Sequence, residues 1–384
     1  MGRCKAMKLY DTIIVGAGPA GLMAARELER KKIDYLILEA KGKLGYPLRC
    51  GEITREETFV ELFPRKDYPF IRNNTSKISF RIKDTQKMAR KNMFMLDKAE
   101  FLQWLSEPMK HILRLETRLL EIKRQENFSE ISTNKGVLHA KLVILANGAN
   151  YRIQKDLNLV KKSVELVPCI GGLFKNSTLD RDTACFFYDE DMSMASWIFP
   201  KENNTCNAGA GIILKNRTTG ELNPKQAFKQ FMQKLGVSLE GEPTFGGNYV
   251  TSGPIHQTYS DGLLVCGDSA GQVFAGIGEG IYFSLKAGQL AGRTAIKAVE
   301  KNTFNAELLK EYETNWRQSF GRQMDAGVMF ATSLFFLMRH HLTRHALESI
   351  NAEEIGDTWF NGRISFRFLL LYYFLKCIGC SPKR

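Results

Sequence analysis

Gly16, Gly18 and Gly21 follow the apolar run Ile13-Ile14-Val15, and a helix-forming stretch opens at Pro19 and Ala20. That order builds a phosphate cradle. The glycines let the backbone turn tightly and approach a pyrophosphate, and the helix start turns its free amides toward the same group. A second apolar run, Tyr35-Leu36-Ile37-Leu38, ends in Glu39, where an acidic side chain accepts hydrogen bonds from ribose hydroxyls. An ordinary strand–turn–helix needs neither the three glycines nor the terminal acid. Far downstream, Leu263-Leu264-Val265-Cys266 ends in Gly267-Asp268, and Gly278-Glu279-Gly280-Ile281 begins another helix. The first segment alone says only dinucleotide. The pair says FAD, because a flavin cofactor needs a second site for its ribityl and phosphate end. Asp268 stands where a carboxylate holds a ribityl hydroxyl, and the helix from Ile281 turns its positive end toward the pyrimidine side of the flavin ring.

These residues require a scaffold larger than one core. A chain of 384 residues is expected to divide into two or three subdomains. The expected class is α/β: a discontinuous Rossmann-type FAD-binding domain at 1–73, 97–163 and 253–300. An antiparallel-sheet substrate domain at 74–96 and 164–252 is inserted into it, and 301–384 forms a helical C-terminal region. Residues 53–73 read as a helix and connecting loop, and the alternation over 76–94 predicts a β-hairpin. Asp97 is a natural N-cap for the helix after it. Residues 117–145 read as strands, the last ending at Lys141–Ala146 with the turn Asn147-Gly148 beside the dinucleotide. Short strand-like runs fill 164–252. Gly209 and Gly211 form another GxG there, but no helix follows, so they belong to a sheet.

The net charge of +13 suits nucleic acid, an anionic membrane surface or an anionic substrate. The basic residues are scattered and no nucleic-acid motif is visible, which argues against nucleic acid as a partner. The polar start MGRCKAMKLYD runs directly into the first strand, so no signal peptide is expected, and Met7 is a second candidate start. Eight cysteines without a secretory signal read as reduced thiols in the cytoplasm. Cys377 and Cys380 make one CxxC without a second pair, and no metal site is expected. No stretch reaches the ~20 apolar residues of a spanning helix. Two C-terminal stretches are nevertheless strongly apolar: 327–338, followed by Arg339, His340, His341 and Arg344, and 368–375, between Arg367 and Lys376. They complete the core, or they lie on a bilayer with their cations near phosphate headgroups. Both readings are open at this point.

Several short motifs narrow the function. Gly45-Tyr46-Pro47-Leu48-Arg49-Cys50-Gly51-Glu52 resembles the G-x-P-x-R-C-G-E element of the geranylgeranyl reductase family, especially its archaeal branch acting on digeranylgeranylglycerophospholipids. The run LDKAEF at 96–101 resembles the family's L-D-R-x-x-F, with Lys98 where Arg is usual. Ser196-Trp197-Ile198-Phe199-Pro200 resembles the end of P-x-x-Y-x-W-x-F-P, with Met192 and Ala195 in place of Pro and Tyr. GDSAGQVFAGIGEGI is similar to G-D-A-A-G-x-x-x-P-x-x-G-x-G-I, with Ala275 in place of Pro, and Asn147 replaces a common Asp. The resemblance covers roughly residues 8–300.

It implies a p-hydroxybenzoate hydroxylase-like fold and a reduced FAD that passes a hydride from N5 to an isolated C=C bond. The substrate would be a geranylgeranyl chain on an archaeal-type phospholipid or a diphosphate. Such an alkene has no conjugated carbonyl to stabilise charge, so a dry apolar cavity over the flavin is needed. Trp197, Phe199 and Pro200 would wall it, although from spacing alone they equally fit the apolar face of a buried strand. Ala195 in place of Tyr should widen it. The resemblance implies Cys50 beside the isoalloxazine as a catalytic residue (tuning the flavin, contacting substrate or taking part in proton delivery) and as a cofactor contact, with Arg49, Gly51, Lys98, Leu120 and Gly148 among the other cofactor contacts. It further implies a prenyl lipid substrate, peripheral contact with the inner face of the membrane, and an external electron donor (ferredoxin, NADPH or quinol). Aromatic hydroxylases and halogenases share the scaffold. The halogenase W-x-W-x-I-P is absent, and the RCGE element counts against hydroxylases. A non-catalytic prenyl-lipid carrier is a third reading, opposed by the intact pair of flavin segments.

Overall fold

The computed structural model of the protein describes residues 8–63, 67–82, 85–161, 164–176, 178–189, 194–212, 224–340, 342, 345, 349 and 351–377. Met7, Met192, His341, Arg344 and Cys380, each singled out from the sequence, lie outside the described residues.

Strand Leu9–Val15 is central in the first sheet, parallel to Tyr35–Leu38 on one side and to Gly136–Leu145 on the other. Leu263–Val265 adds a further parallel strand beyond Gly136–Leu145. Ile13, Ile14, Val143, Ile144 and Leu264 are all buried. Burial on both faces explains why these runs are continuously apolar rather than alternating. Because the four strands are parallel, both glycine-rich segments leave the same carboxyl edge, the edge at which open α/β sheets bind their ligands.

Glycine is required there by close approach. At Gly16 (φ +106°) a Cβ would lie 2.2 Å from the Ala146 carbonyl oxygen, and at Gly21 one would lie 1.9 Å from the Gly16 carbonyl oxygen. Helices Pro19–Arg30 and Ile281–Glu300 run parallel in near contact. A Cβ at Gly288 would stand 2.1 Å from the Ala20 carbonyl oxygen, and one at Gly292 2.8 Å from that of Ala24. The two helix starts therefore converge on one place.

The second sheet has eight strands, in the order Phe245–Val250, Leu166–Lys175, Thr205–Ile212, Met194–Pro200, Thr183–Asp189, Ile71–Ile82, Thr85–Leu96 and Ile53–Arg55. All pairs are antiparallel except Thr183–Asp189 with Ile71–Ile82. The predicted hairpin is present but longer, and Ile53–Arg55, expected in a helix and loop, pairs with it. The second sheet thus begins earlier in the chain than residue 74. Asp97 caps its helix as expected, accepting from the Glu100 amide at 2.9 Å.

This sheet has two apolar faces. Phe187, Ile198, Ala208 and Ala210 pack beneath helix Pro224–Lys234, an element missed from the sequence, while Phe80, Phe186 and Phe199 face the first sheet's core. The C-terminal part begins with the 34-residue helix Ala306–Arg339. A short helix, Ala352–Gly356, and helix Phe366–Cys377 follow it.

The parallel helix contact gives a direct test. Gly288→Ala forces a methyl group onto the Ala20 carbonyl and should destabilise the protein by about 2 kcal/mol. Gly321→Ala, where the added Cβ meets only Arg317 Cβ at 3.5 Å, should be neutral or stabilising by up to ~1 kcal/mol. Urea unfolding of the two variants checks the difference.

Candidate active site

A cavity of about 1360 Å³ opens between the carboxyl edge of the first sheet and one face of the second. It exceeds the ~300–1,000 Å³ of a single small-molecule site, which leaves room for a dinucleotide and a further apolar chain. The first glycine-rich segment contributes Gly16, Gly18, Pro19 and Ala20 to the lining, and the second contributes Asp268, Gly278, Gly280 and Ile281. Glu39, Arg49, Cys50, Gly51, Lys98, Leu120 and Gly148 also line it, with Trp197 and Phe199.

Three predicted residues do not reach the lining. Gly21 and Gly267 serve packing: a Cβ at Gly267 (φ +73°) would lie 2.9 Å from Ala20 Cβ. Pro200 corrects the predicted substrate wall. In strand Met194–Pro200, Ala195, Trp197 and Phe199 share the cavity face, and the period of two turns Pro200 away from it.

The cofactor half is built from backbone and carboxylates. Glu39 is pinned beside the glycine loop, accepting from the Ala17 and Lys41 amides, each at 2.9 Å. A Cβ at Gly18 or Gly148 would meet no protein atom within 4 Å; both positions face open cavity that a ligand can approach. Asp268 lies deep in the protein with one face on the cavity, its main-chain carbonyl accepting from the Tyr151 hydroxyl. Burial holds its carboxyl above the usual range, with Lys98 and Ser284 opposing the rise. Burial works against the Lys98 charge as well. The surrounding Cys50, Asp268 and Glu52 outweigh it and hold the ammonium above its ordinary range.

Glu52 is the hub of the RCGE loop. It is buried, has φ +61°, and accepts from the Lys98 amide at 2.9 Å. Its other oxygen accepts from Lys201 Nζ at 2.8 Å and Asn207 Nδ2 at 3.0 Å. Asn207 also donates to the Cys50 carbonyl at 2.9 Å and accepts from Trp197 Nε1 at 2.9 Å. Loop, wall and second sheet are therefore held by one set of hydrogen bonds. Gly51 sits against the wall, where a Cβ would come within 3.0 Å of Phe199 and 3.3 Å of Trp197 Nε1. A Cβ at Gly209 would strike the Trp197 ring at 2.3 Å, so the second GxG makes the seat for that indole. Ala195 pairs across the strands with Tyr188, and both line the cavity with Tyr249 and Cys169. Burial pushes the Cys169 thiol up to about 11, with Cys50 adding to the rise.

Sequence reasoning missed Lys201, Asn207, Arg55 and Trp359. Arg55 Nε donates to Glu279 Oε1 at 3.0 Å, and Trp359 Nε1 donates to Glu279 Oε2 at 2.7 Å. Trp359, from the C-terminal part, lines the cavity. One usable signal was Asn207, a lone amide between Cys206 and the small apolar run Ala208–Ile212, where a buried polar group must find partners.

The donor set fits FAD: a carboxylate for ribose, open glycines for phosphates, and Asp268 beside a helix start. Fold and site together define an FAD-dependent oxidoreductase. The family profile described as pyridine nucleotide-disulphide oxidoreductase matches residues 13–163. The chain is similar along most of its length to the digeranylgeranylglycerophospholipid reductase of Methanocaldococcus jannaschii, 29% identical over 90% of this chain and 89% of that one. A second such reductase, from Methanopyrus kandleri, is 28% identical over 90% and 91%. Among solved structures, a geranylgeranyl bacteriochlorophyll reductase-like protein of Thermoplasma acidophilum matches with TM-score 0.79 at 20% identity, covering 98% of each chain. A flavin-dependent brominase shares the fold with TM-score 0.72 at 13% identity, over 97% of this chain and 99% of its own. The chain is thus an FAD-dependent oxidoreductase, similar along most of its length to these reductases.

Two stability measurements test this network. Glu52→Ala strands the buried Lys201 ammonium and should cost about 3–5 kcal/mol in urea unfolding; Glu52→Gln, which keeps an acceptor, should cost less. Asp268 runs the other way. Its raised carboxyl pKa means the folded state prefers the protonated form, so its contribution falls as pH rises through that value. Asp268→Asn should therefore raise the melting temperature of flavin-free protein at pH 7 and leave it unchanged well below the carboxyl range.

Proposed function

We propose that this protein reduces isolated C=C bonds of geranylgeranyl chains, carried on an archaeal-type isoprenoid phospholipid or on a diphosphate, using FAD. The observation that carries the reading is the RCGE loop, held by Glu52 against Trp197 and Phe199 on the same cavity as both flavin segments. Reduced FAD would supply the hydride to one alkene carbon, and a proton would be delivered to the other. In this reading Glu39 holds the adenosine ribose, Gly16, Gly18 and the start of helix Pro19–Arg30 hold the pyrophosphate, and Asp268 holds the ribityl chain. Lys98 sits beside Cys50, Asp268 and Glu52 and offsets carboxylate charge at this point of the cavity. Cys50 faces the reacting part of the cavity.

The remaining wall suits an alkyl chain. Phe186, Tyr188, Ala195, Trp197, Phe199 and Trp359 make it largely aromatic, and such a surface excludes water from an alkene that offers no polar handle. Tyr188 and Tyr249 are held protonated by burial above all, so the chamber carries no phenolate charge. The substrate chain reaches the protein at the membrane surface, and an external donor (ferredoxin, NADPH or quinol) returns the flavin to its reduced form.

The test is mass spectrometry on lipid incubated with dithionite-reduced protein. Each saturated bond should add two hydrogens to a geranylgeranylated glycerophospholipid or to geranylgeranyl diphosphate. No gain on any geranylgeranyl substrate sinks the reading, and oxygen-dependent hydroxylation in its place would make this a monooxygenase. Asp268→Asn, which keeps an acceptor but loses the charge on it, should raise the FAD dissociation constant about tenfold.

A further inference from the structure

Helix Phe366–Cys377 carries apolar side chains on two opposite faces. Phe368, Tyr372 and Leu375, spaced i, i+4, i+7, are buried, and the Phe368 ring lies 5.0 Å from that of Phe330. Completing the core accounts for that face alone. Phe366, Leu370, Tyr373 and Phe374 are 70%, 54%, 50% and 58% exposed. At about 100° a residue these four occupy one arc of roughly 100°. Arg367 borders that arc on one side and Lys376 on the other, and both are exposed. The sequence from Gly362 to Arg384 contains no Asp or Glu.

We propose that this outward face is a membrane-docking surface, which seats the helix in the headgroup–acyl boundary of an anionic bilayer. It deepens the reductase reading, on which it rests, by naming the surface that brings the cavity to its lipid. An apolar stripe between two cationic borders is the pattern of a helix lying in the interfacial plane, with its ring and alkyl groups sunk among acyl chains and its cations at phosphate depth. No described helix is long and apolar enough to cross a membrane, so the contact is in-plane. A second copy of the chain fits this face poorly. A two-fold pair is self-complementary and would bring the Arg367 and Lys376 borders against each other, with no carboxylate in the segment to pair them.

The helix is also connected to the site. Phe368 packs on Phe330, and Phe330 in turn fills the space beside Gly276, where a Cβ would come within 2.3 Å of its ring. Gly276 lines the cavity, as does Trp359, which donates to Glu279 of the flavin loop. The helix is therefore joined to the cavity lining through two side chains, Phe368 and Phe330.

Flotation of the full-length flavoprotein with vesicles tests this, using phosphatidylglycerol–phosphatidylcholine mixtures against phosphatidylcholine alone. Neither lipid carries a prenyl chain, so flotation reports docking whether or not the protein reduces alkenes. The protein should float with the anionic vesicles, bind neutral ones at least tenfold less, and be released by salt. The triple variant Phe366→Ser, Leu370→Ser, Phe374→Ser should lose at least tenfold in binding while keeping its flavin absorbance and melting temperature. Arg367→Glu with Lys376→Glu, which also removes the Arg367 hydrogen bond to the Ser349 carbonyl, should remove the preference for anionic lipid while keeping the flavin absorbance. Flotation of the triple variant at the wild-type level, or no flotation of the wild type, overturns the proposal. A concentration-dependent dimer lost in the triple variant, without flotation, would assign the face to a second copy instead. Failure of alkene reduction with flotation intact would remove the reductase reading and leave this surface standing.

Discussion

The site depends on one buried carboxylate. Glu52 accepts from the helix that opens at Lys98, from Asn207 of the second sheet and from Lys201 just past strand Met194–Pro200. Its backbone is held in the left-handed region at φ +61°, a conformation that a side chain other than Gly adopts only when its surroundings fix it. Buried ion pairs add little net stability over apolar packing, but removing one partner leaves the other charge buried and unpaired. Here the bonds of Glu52 fix the position of Arg49, Cys50 and Gly51 relative to the Trp197–Phe199 wall. Arg55 and Glu279 form a second buried pair, of which Glu279 lines the same cavity. Burial opposes the guanidinium charge and the Glu279 carboxylate more than restores it, so the flavin loop is tied to the second sheet as well.

Around this frame the cavity changes character from polar to apolar. Its nucleotide half is lined by backbone amides, Glu39 and Asp268, all able to bond a sugar–phosphate chain. Its other half is aromatic, with the polar edge of Trp197 already occupied by Asn207. Asp268 and Lys98 lie near each other where the halves meet. The raised Asp268 carboxyl is the kind of local cost that persists where a ligand, rather than the fold, requires the group.

Much of this was legible in the sequence because it depends on local pattern. The first strand–glycine–helix unit, the central strand ending at Leu145, the Asp97 cap and the helix from Ile281 follow from periodicity and punctuation. The RCGE and SWIFP stretches could be matched residue by residue, and two of the three wall residues face the cavity. Pro200 failed because a motif is read as a string, whereas a strand alternates. What was not legible is the pairing of groups distant in sequence: Glu52 with Lys201, Arg55 with Glu279, and Trp359 with the flavin loop. Nothing in the local pattern selects Trp359, in a short C-terminal turn, as part of a wall built mainly from strands. Helix Pro224–Lys234 was absorbed into a stretch read as strands because strand-like runs flank it on both sides.

The proposed activity requires that one cavity place a prenyl chain against the flavin. Visible absorption and fluorescence of the oxidised flavoprotein, titrated with a geranylgeranylated glycerophospholipid while binding is followed calorimetrically, test it most directly. The account predicts that the flavin bands shift and the emission changes in step with binding, and that Trp197→Ala weakens both together. Saturable lipid binding with an unaltered flavin spectrum would place the chain elsewhere and contradict the account.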